Sequence, residues 1–247
     1  MELKPPGNSF LSAIFLGNRT NHSFSIMKKI TLLLLLHFIA ISLFAQQDNN
    51  AIALRLTSLN KEKAGLKDED IKNSIVSNSY YDNAGKIQLV YLQQSYLGLP
   101  VYNQIQVMAF KGDILVSNTG GRISSIEKKS GGLQAVPKIT AAEALVTALA
   151  DKGIRLTLDP LVVGSEKNGH YLVFDNMGIM HENITAELMW VPVQDGKQVF
   201  LAWQVYLAPT GSSDYWMIRI DANTNQDRKS TRLNSSHSSV SRMPSSA

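Results

Sequence analysis

His181-Glu182 is the side-chain pair best suited by type to do chemistry in this 247-residue sequence. A zinc-hydrolase helix needs that pair and a second His four residues after the first, so that both imidazoles face one metal while the Glu activates water. Position 185 is Thr, and the flanking Asn183-Ile184 reads as turn and strand, so no zinc site is expected. His170 has no partner at ligand spacing and is expected on a strand surface. Trp190, Trp203 and Trp216 fall on three successive expected strands. They could form a platform for sugars or peptides, but packing is the favoured reading, because aromatics dominate small cores. No Ser/His/Asp order, phosphate loop or paired acidic site stands out. Asn183-Ile184-Thr185 matches a glycosylation acceptor and carries little weight beside a leader of bacterial type. There is no Cys, hence no disulfide, thiol nucleophile, thiolate metal site or lipoprotein anchor. The chain is expected to be no enzyme and to hold no cofactor and no metal.

The two ends distort the bulk numbers. Residues 1–26 are polar and aperiodic. Met27-Lys28-Lys29 is followed by the apolar run Ile30 to Ala45, then by Gln46-Gln47-Asp48. A basic start, an apolar stretch and a small residue before polar sequence form a secretory signal peptide, cut between Ala45 and Gln46. The run is short for a spanning helix, which wants about 20 apolar residues. Met27 is then the expected start, and 1–26 a mistaken extension. Asp227 to Ala247 is rich in Ser and Arg and reads as a disordered tail. Asp227 to His237 and Ser241 to Ala247 also resemble the two in-frame blocks of a translated sequencing adapter. Ser238, Ser239 and Val240 leave room for an index between them. The natural sequence is therefore expected to break off near Gln226, truncated by read-through into adapter.

Charge follows the same division. The whole chain has a formal net charge of +4, yet residues 46–226 carry 16 Lys and Arg against 18 Asp and Glu, a net of −2. The basic excess belongs to the ends, so nucleic acid is not an expected partner. A cleaved leader also leaves no stable membrane anchor.

The elements between the ends suggest an α+β fold of two small antiparallel sheet units. Residues 46–79 are a polar, helix-leaning lead with a short helix near Asp68-Glu69-Asp70. Period-two alternation then predicts strands from Ile87 to Tyr96, Val101 to Phe110 and Ile114 to Ser117, with Ile105, Val107 and Ala109 sharing one face. Leu97-Gly98-Leu99-Pro100 breaks the first two, and Lys111-Gly112-Asp113 turns the last two. This first unit spans 46–126, a charged, Gly-paired linker 127–138, and a second unit 139–226. Thr140-Ala141-Ala142-Glu143 is a capping box opening a helix with Ala142, Leu145, Val146 and Leu149 as its apolar stripe. Lys152 and Gly153 suit its end. Strands follow at 160–163, 170–174, 186–192, 199–206 and 215–221, and the helix is expected to pack on one face of their sheet.

Tyr91-Leu92-Gln93-Gln94-Ser95-Tyr96-Leu97-Gly98-Leu99-Pro100-Val101-Tyr102, with the strand to Phe110, resembles the propeptide motif of fungalysin and thermolysin zymogens. Tyr96, Gly98, Pro100, Val101 and Tyr102 carry that likeness. Residues 139–153 resemble the opening helix of a PepSY domain. Leu201-Ala202-Trp203-Gln204-Val205 and Tyr215 to Asn225 resemble its closing strands, with Trp203 and Asp221 at motif positions and Asn225 where the family prefers Gly. The resemblance implies a secreted, bacterial, fungalysin-like pro-region, extracellular or periplasmic, that helps its own protease domain fold and inhibits it in cis. Zinc would belong to that catalytic domain. The motif positions are scaffold or docking residues. The alternative is a stand-alone exported protein that binds peptides or proteases.

Overall fold

The structure, a computed structural model, describes residues 49–233. The leader, the Ala45–Gln46 cleavage point and residues 234–247 lie outside the described residues. The chain divides into two compact units, Met1–Ala51 and Ile52–Ala247. Of the first, residues 49–51 are helical. The second opens with helix α1 (residues 52–59). It continues through α2 (Asp68–Lys72), β1 (Ser74–Asp82), β2 (Ile87–Tyr96), β3 (Leu99–Lys111), β4 (Ile114–Gly120), α3 (Ile126–Lys129) and α4 (Ala141–Asp151). Strands β5 (Val162–Glu166), β6 (Tyr171–Phe174), β7 (Ile184–Val193), β8 (Gln198–Leu207), β9 (Tyr215–Asp221) and β10 (Asp227–Leu233) complete it.

The α+β class stands, but the two small sheets do not. The ten strands form one sheet in the order β1-β2-β3-β7-β8-β9-β10, with β4 on β3 and the β5–β6 pair on β7. The 13-residue β3 makes this join. Its far half, from Gln106 to Lys111, pairs antiparallel with β4, while Val101 near its start pairs in parallel with Trp190 of β7. Local turn signals predicted the β2–β3 and β3–β4 hairpins but not β1–β2, and could not reveal that β3 is long enough to pair with β7 as well as with β2 and β4.

The first half of the sheet buries the face opposite to the one its apolar spacing suggests. Val90 and Leu92 of β2 pack with Met108 and Phe110 of β3 against Ala53 and Leu56 of α1 and Ala64 and Leu66 beyond it. Gln106 is buried on this face, and Ile105, Val107 and Ala109 are only half-buried on the other. A polar side chain is tolerated inside when it is hydrogen-bonded. Gln106 Nε2 donates to the Ala64 carbonyl at 3.0 Å. Gln94 is likewise buried, and its amide pairs with both backbone groups of Ile123, at 2.9 and 2.8 Å.

The second half is built on α4. The Thr140 hydroxyl accepts from the Glu143 N–H at 3.2 Å, and the Glu143 carboxylate accepts from the Thr140 N–H at 2.7 Å. The buried stripe is Ala141, Ala144, Leu145, Ala148 and Leu149, and the expected Val146 faces outward. Small alanines let the helix approach the sheet closely, where Leu188, Trp190, Leu201, Trp203, Val205, Ile218 and Ile220 complete the core. The segment expected as a linker is part of this structure. Ile126 and Ser130 are buried, Ala135 packs on the core, and the Lys138 and Ile139 N–H groups both donate to the Ala222 carbonyl, at 2.8 and 3.1 Å. The expected disordered tail is corrected over Asp227–Leu233, which pairs with β9 as β10. The Arg228 guanidinium reaches the Asp221 carboxylate at 2.9 Å there.

Candidate functional site

The Tyr96–Tyr102 segment sits where the halves of the sheet meet. Tyr96 pairs with Leu99, so Leu97 and Gly98 are the central residues of a two-residue hairpin. Both have positive φ, +49° and +81°, the geometry that matches strand twist and favours Asn-Gly. Pro100 lies opposite Ser95. Val101 is fully buried, and Tyr96 meets the buried Trp190 with ring centroids 5.2 Å apart. The Trp190 indole N–H donates to the Tyr96 carbonyl at 2.8 Å, which fixes the hairpin to β7.

Trp203 and Asp221 also have structural partners. The Trp203 indole donates to the Ile139 carbonyl at 3.1 Å, fastening β8 to the start of α4. Asp221 accepts from the N–H groups of Asn223 and Thr224 at 2.8 and 3.0 Å, making the turn after β9. Asn225 takes φ +59° there, and its side chain accepts from Thr147 of α4 at 2.9 Å. With Trp190 and Trp203 buried, the three tryptophans form no exposed row, although Lys152 lies over the half-buried Trp216 at 4.2 Å. His181 precedes β7, its backbone N–H bonded to Ala208, and Thr185 pairs with Tyr206. His170 lies in the turn before β6 rather than on a strand. Among the described residues no three His, Asp or Glu side chains are grouped to hold a metal ion.

Of the motif positions, Val101, Trp203 and Tyr96 belong to the α4 side, and Tyr102 lies on the face of β7–β8–β9 opposite α4. One row of directly paired residues crosses four strands: Tyr171, Glu187, Gln204 and Arg219. Lys167 neutralises Glu187 at 2.5 Å. Beside the row, Met189, Val191 and Ala202 are buried beneath Tyr102 and Phe200. Arg219 is fully buried and spans this patch, its guanidinium 3.5 Å from the centre of the Tyr102 ring. Nε donates to Gln204 at 2.9 Å and Nη2 meets the Met217 sulfur, while the buried Nη1 has no hydrogen-bond partner. Burial pulls the guanidinium below its ordinary pKa, opposed by Tyr102 and Tyr206. Burial raises Tyr206 above its own, opposed by Arg219. Tyr, Met and Arg are the residues enriched at interface centres. In the sequence, Arg219 stands inside the Tyr215 to Asn225 stretch without a site motif around it. Its signal was the alternation of Met217, Arg219 and Asp221 on the face away from the Ile218–Ile220 core.

A family model described as the Fungalysin/Thermolysin Propeptide Motif matches residues 73–126. That is a propeptide motif and not a catalytic domain, and it covers β1 to β4 and the hairpin. No curated protein matches the chain. Among solved structures, the Bacillus megaterium YpeB C-terminal domain is 14% identical, with 72% of this chain and 65% of that one covered and a TM-score of 0.31. The chain thus spans just under two thirds of that domain's length. A Clostridium difficile 630 protein described as a lipoprotein is 10% identical, with 67% and 86% covered and a TM-score of 0.24. Among the described residues no helix is long and apolar enough to cross a membrane.

Proposed function

We propose that this chain is the propeptide part of a secreted bacterial zinc protease of the fungalysin or thermolysin kind, a folding helper and inhibitor of a catalytic domain in cis. The observation that carries the reading is the propeptide-motif match at 73–126. The continuous sheet supports it by joining those residues rigidly to the rest, which we read as PepSY-like over 139–226. The zinc belongs to the catalytic domain. Partners other than that domain, nucleic acid and a lasting membrane anchor included, have no part in the reading.

A covalent tether supplies an effective concentration of order millimolar, so even micromolar intrinsic affinity keeps a cleft closed about a thousandfold more often than open. Cleaving the connection removes the tether, and dilution releases the inhibitor. The test adds the full chain in trans to the protease of the same gene. Inhibition or assisted refolding is the expected result, and neither effect at tens of micromolar defeats the proposal.

Residues 227–247 enter the same proposal as adapter-derived sequence. Adapter-free sequence past the codon for Gln226 should encode a His-Glu-x-x-His helix. A prompt stop codon would favour the stand-alone exported binder of peptides or proteases.

A further inference from the structure

Arg219 is a buried cation without a carboxylate. Among the described residues no Asp or Glu oxygen lies within 4.0 Å of its guanidinium, whereas the cations of Lys167 and Arg228 on the same part of the sheet have Glu187 and Asp221. Gln204, its direct neighbour on β8, occupies Nε with a neutral amide oxygen. The Tyr102 ring covers one side of the guanidinium plane. Nη1 is closed off from solvent and makes no hydrogen bond of ordinary geometry, although the Tyr102 hydroxyl is close enough to favour the charged guanidinium. A buried, unpaired donor costs free energy that only an acceptor restores, and a charged acceptor suits a guanidinium best. The surroundings are those of an interface centre: Tyr102, Met189, Met217 and Phe200, with Tyr206 exposed at 37% beside Met217 across β8–β9. No helix among the described residues covers this face, because α4 packs on the other.

We propose that this face docks on the domain the chain covers, and that a carboxylate side chain of that domain moves in past Tyr206 to meet Arg219 Nη1. The proposal rests on the propeptide reading and adds the docking face and the chemistry of its anchor. A carboxylate fits the planar fork of arginine, which lysine cannot reproduce. Neighbouring Tyr102 and Gln204 hold the fork in place, so little side-chain freedom is lost on binding.

The experiment uses the full chain as wild type, Arg219→Met and Arg219→Lys. Each is assayed in trans as an inhibitor of the cognate protease, and each is melted alone. Arg219→Met should inhibit about tenfold or more weakly, while melting no lower than wild type, since it replaces an uncompensated charge with an apolar side chain. Arg219→Lys keeps the charge and loses the fork, and should also weaken inhibition; it serves alone if the Met variant does not fold. Equal inhibition by wild type and variants overturns the site and leaves the propeptide reading standing. If the wild type itself does not inhibit, the propeptide reading stands or falls on assisted refolding. The site is then decided by acetate, followed at the Arg219 Nε–H resonance against chloride of equal ionic strength. A saturable acetate shift absent from Arg219→Met supports the carboxylate site, and no shift overturns it.

Discussion

Trp190 donates its indole N–H to the main-chain oxygen of Tyr96 at 2.8 Å, and the two rings meet at 5.2 Å. The bond connects β7 to the hairpin between β2 and β3, so it crosses the join in the sheet. Trp190→Phe removes that bond and opens a small void beside a fully buried position. The expected cost is about 2–4 kcal/mol, read by urea denaturation. Trp216→Phe, which loses chiefly the contact with Lys152, should cost about 1 kcal/mol or less.

Leu97 occupies the left-handed region, φ +49°, with its side chain 46% exposed. Leucine gains little there and is strained, whereas Asn tolerates the conformation. Leu97→Asn should stabilise the chain by about 0.5–1 kcal/mol in the same denaturation experiment. Gly98→Ala, with open space but φ +81°, should cost about 1 kcal/mol. Gly120→Ala should be worse, because its Cβ would fall 2.0 Å from the Ile105 carbonyl oxygen.

Glu143 is held below the ordinary carboxylate pKa by the Thr140 backbone N–H, with the Thr140 hydroxyl adding to it. A depressed folded pKa contributes stability above the unfolded value, about 4.3 for Glu, and loses it as pH falls through the lower folded value. Stability of the wild type should therefore decline more steeply below that pH than stability of Glu143→Gln. Thr140→Ala removes the hydroxyl acceptor and should cost about 1 kcal/mol at neutral pH. Denaturation series at several pH values check both.

Residues 227–247 are proposed to be foreign to the natural sequence, so β10 should be dispensable. A chain ending at Gln226 loses the bond between Arg228 and Asp221, but keeps both turn bonds that Asp221 accepts. It should still unfold in one cooperative transition. Loss of that transition would show that β10 is integral to the fold.

The elements were legible wherever their signals are local. The capping box at Thr140 and Glu143 predicted α4, because both partners lie within four residues. Turn residues and alternation predicted β2, β3 and β6 to β9 within a few residues. In the lead at 46–79 the short helix near Asp68 is present as α2, but β1 was not legible, since it carries Ser, Asn and Tyr in place of a clean apolar alternation. It stays a strand by pairing with β2 from Ser74 to Asp82.

Direction and company were not legible. Alternation says that a strand has two faces, but not which face receives a helix. On β3 the Gln106 face turned inward, because α1 and the carbonyl of Ala64 lie against it. The sequence by itself determined the strands, the capped helix and the propeptide-like string from Tyr91 to Tyr102. Only the tertiary structure decided that Val101 meets Trp190, that ten strands share one sheet, and that Arg219 lies over Tyr102. The physical reason is range. Propensity and turn chemistry act over a few residues, whereas burial, charge pairing and sheet order depend on residues far apart in the chain.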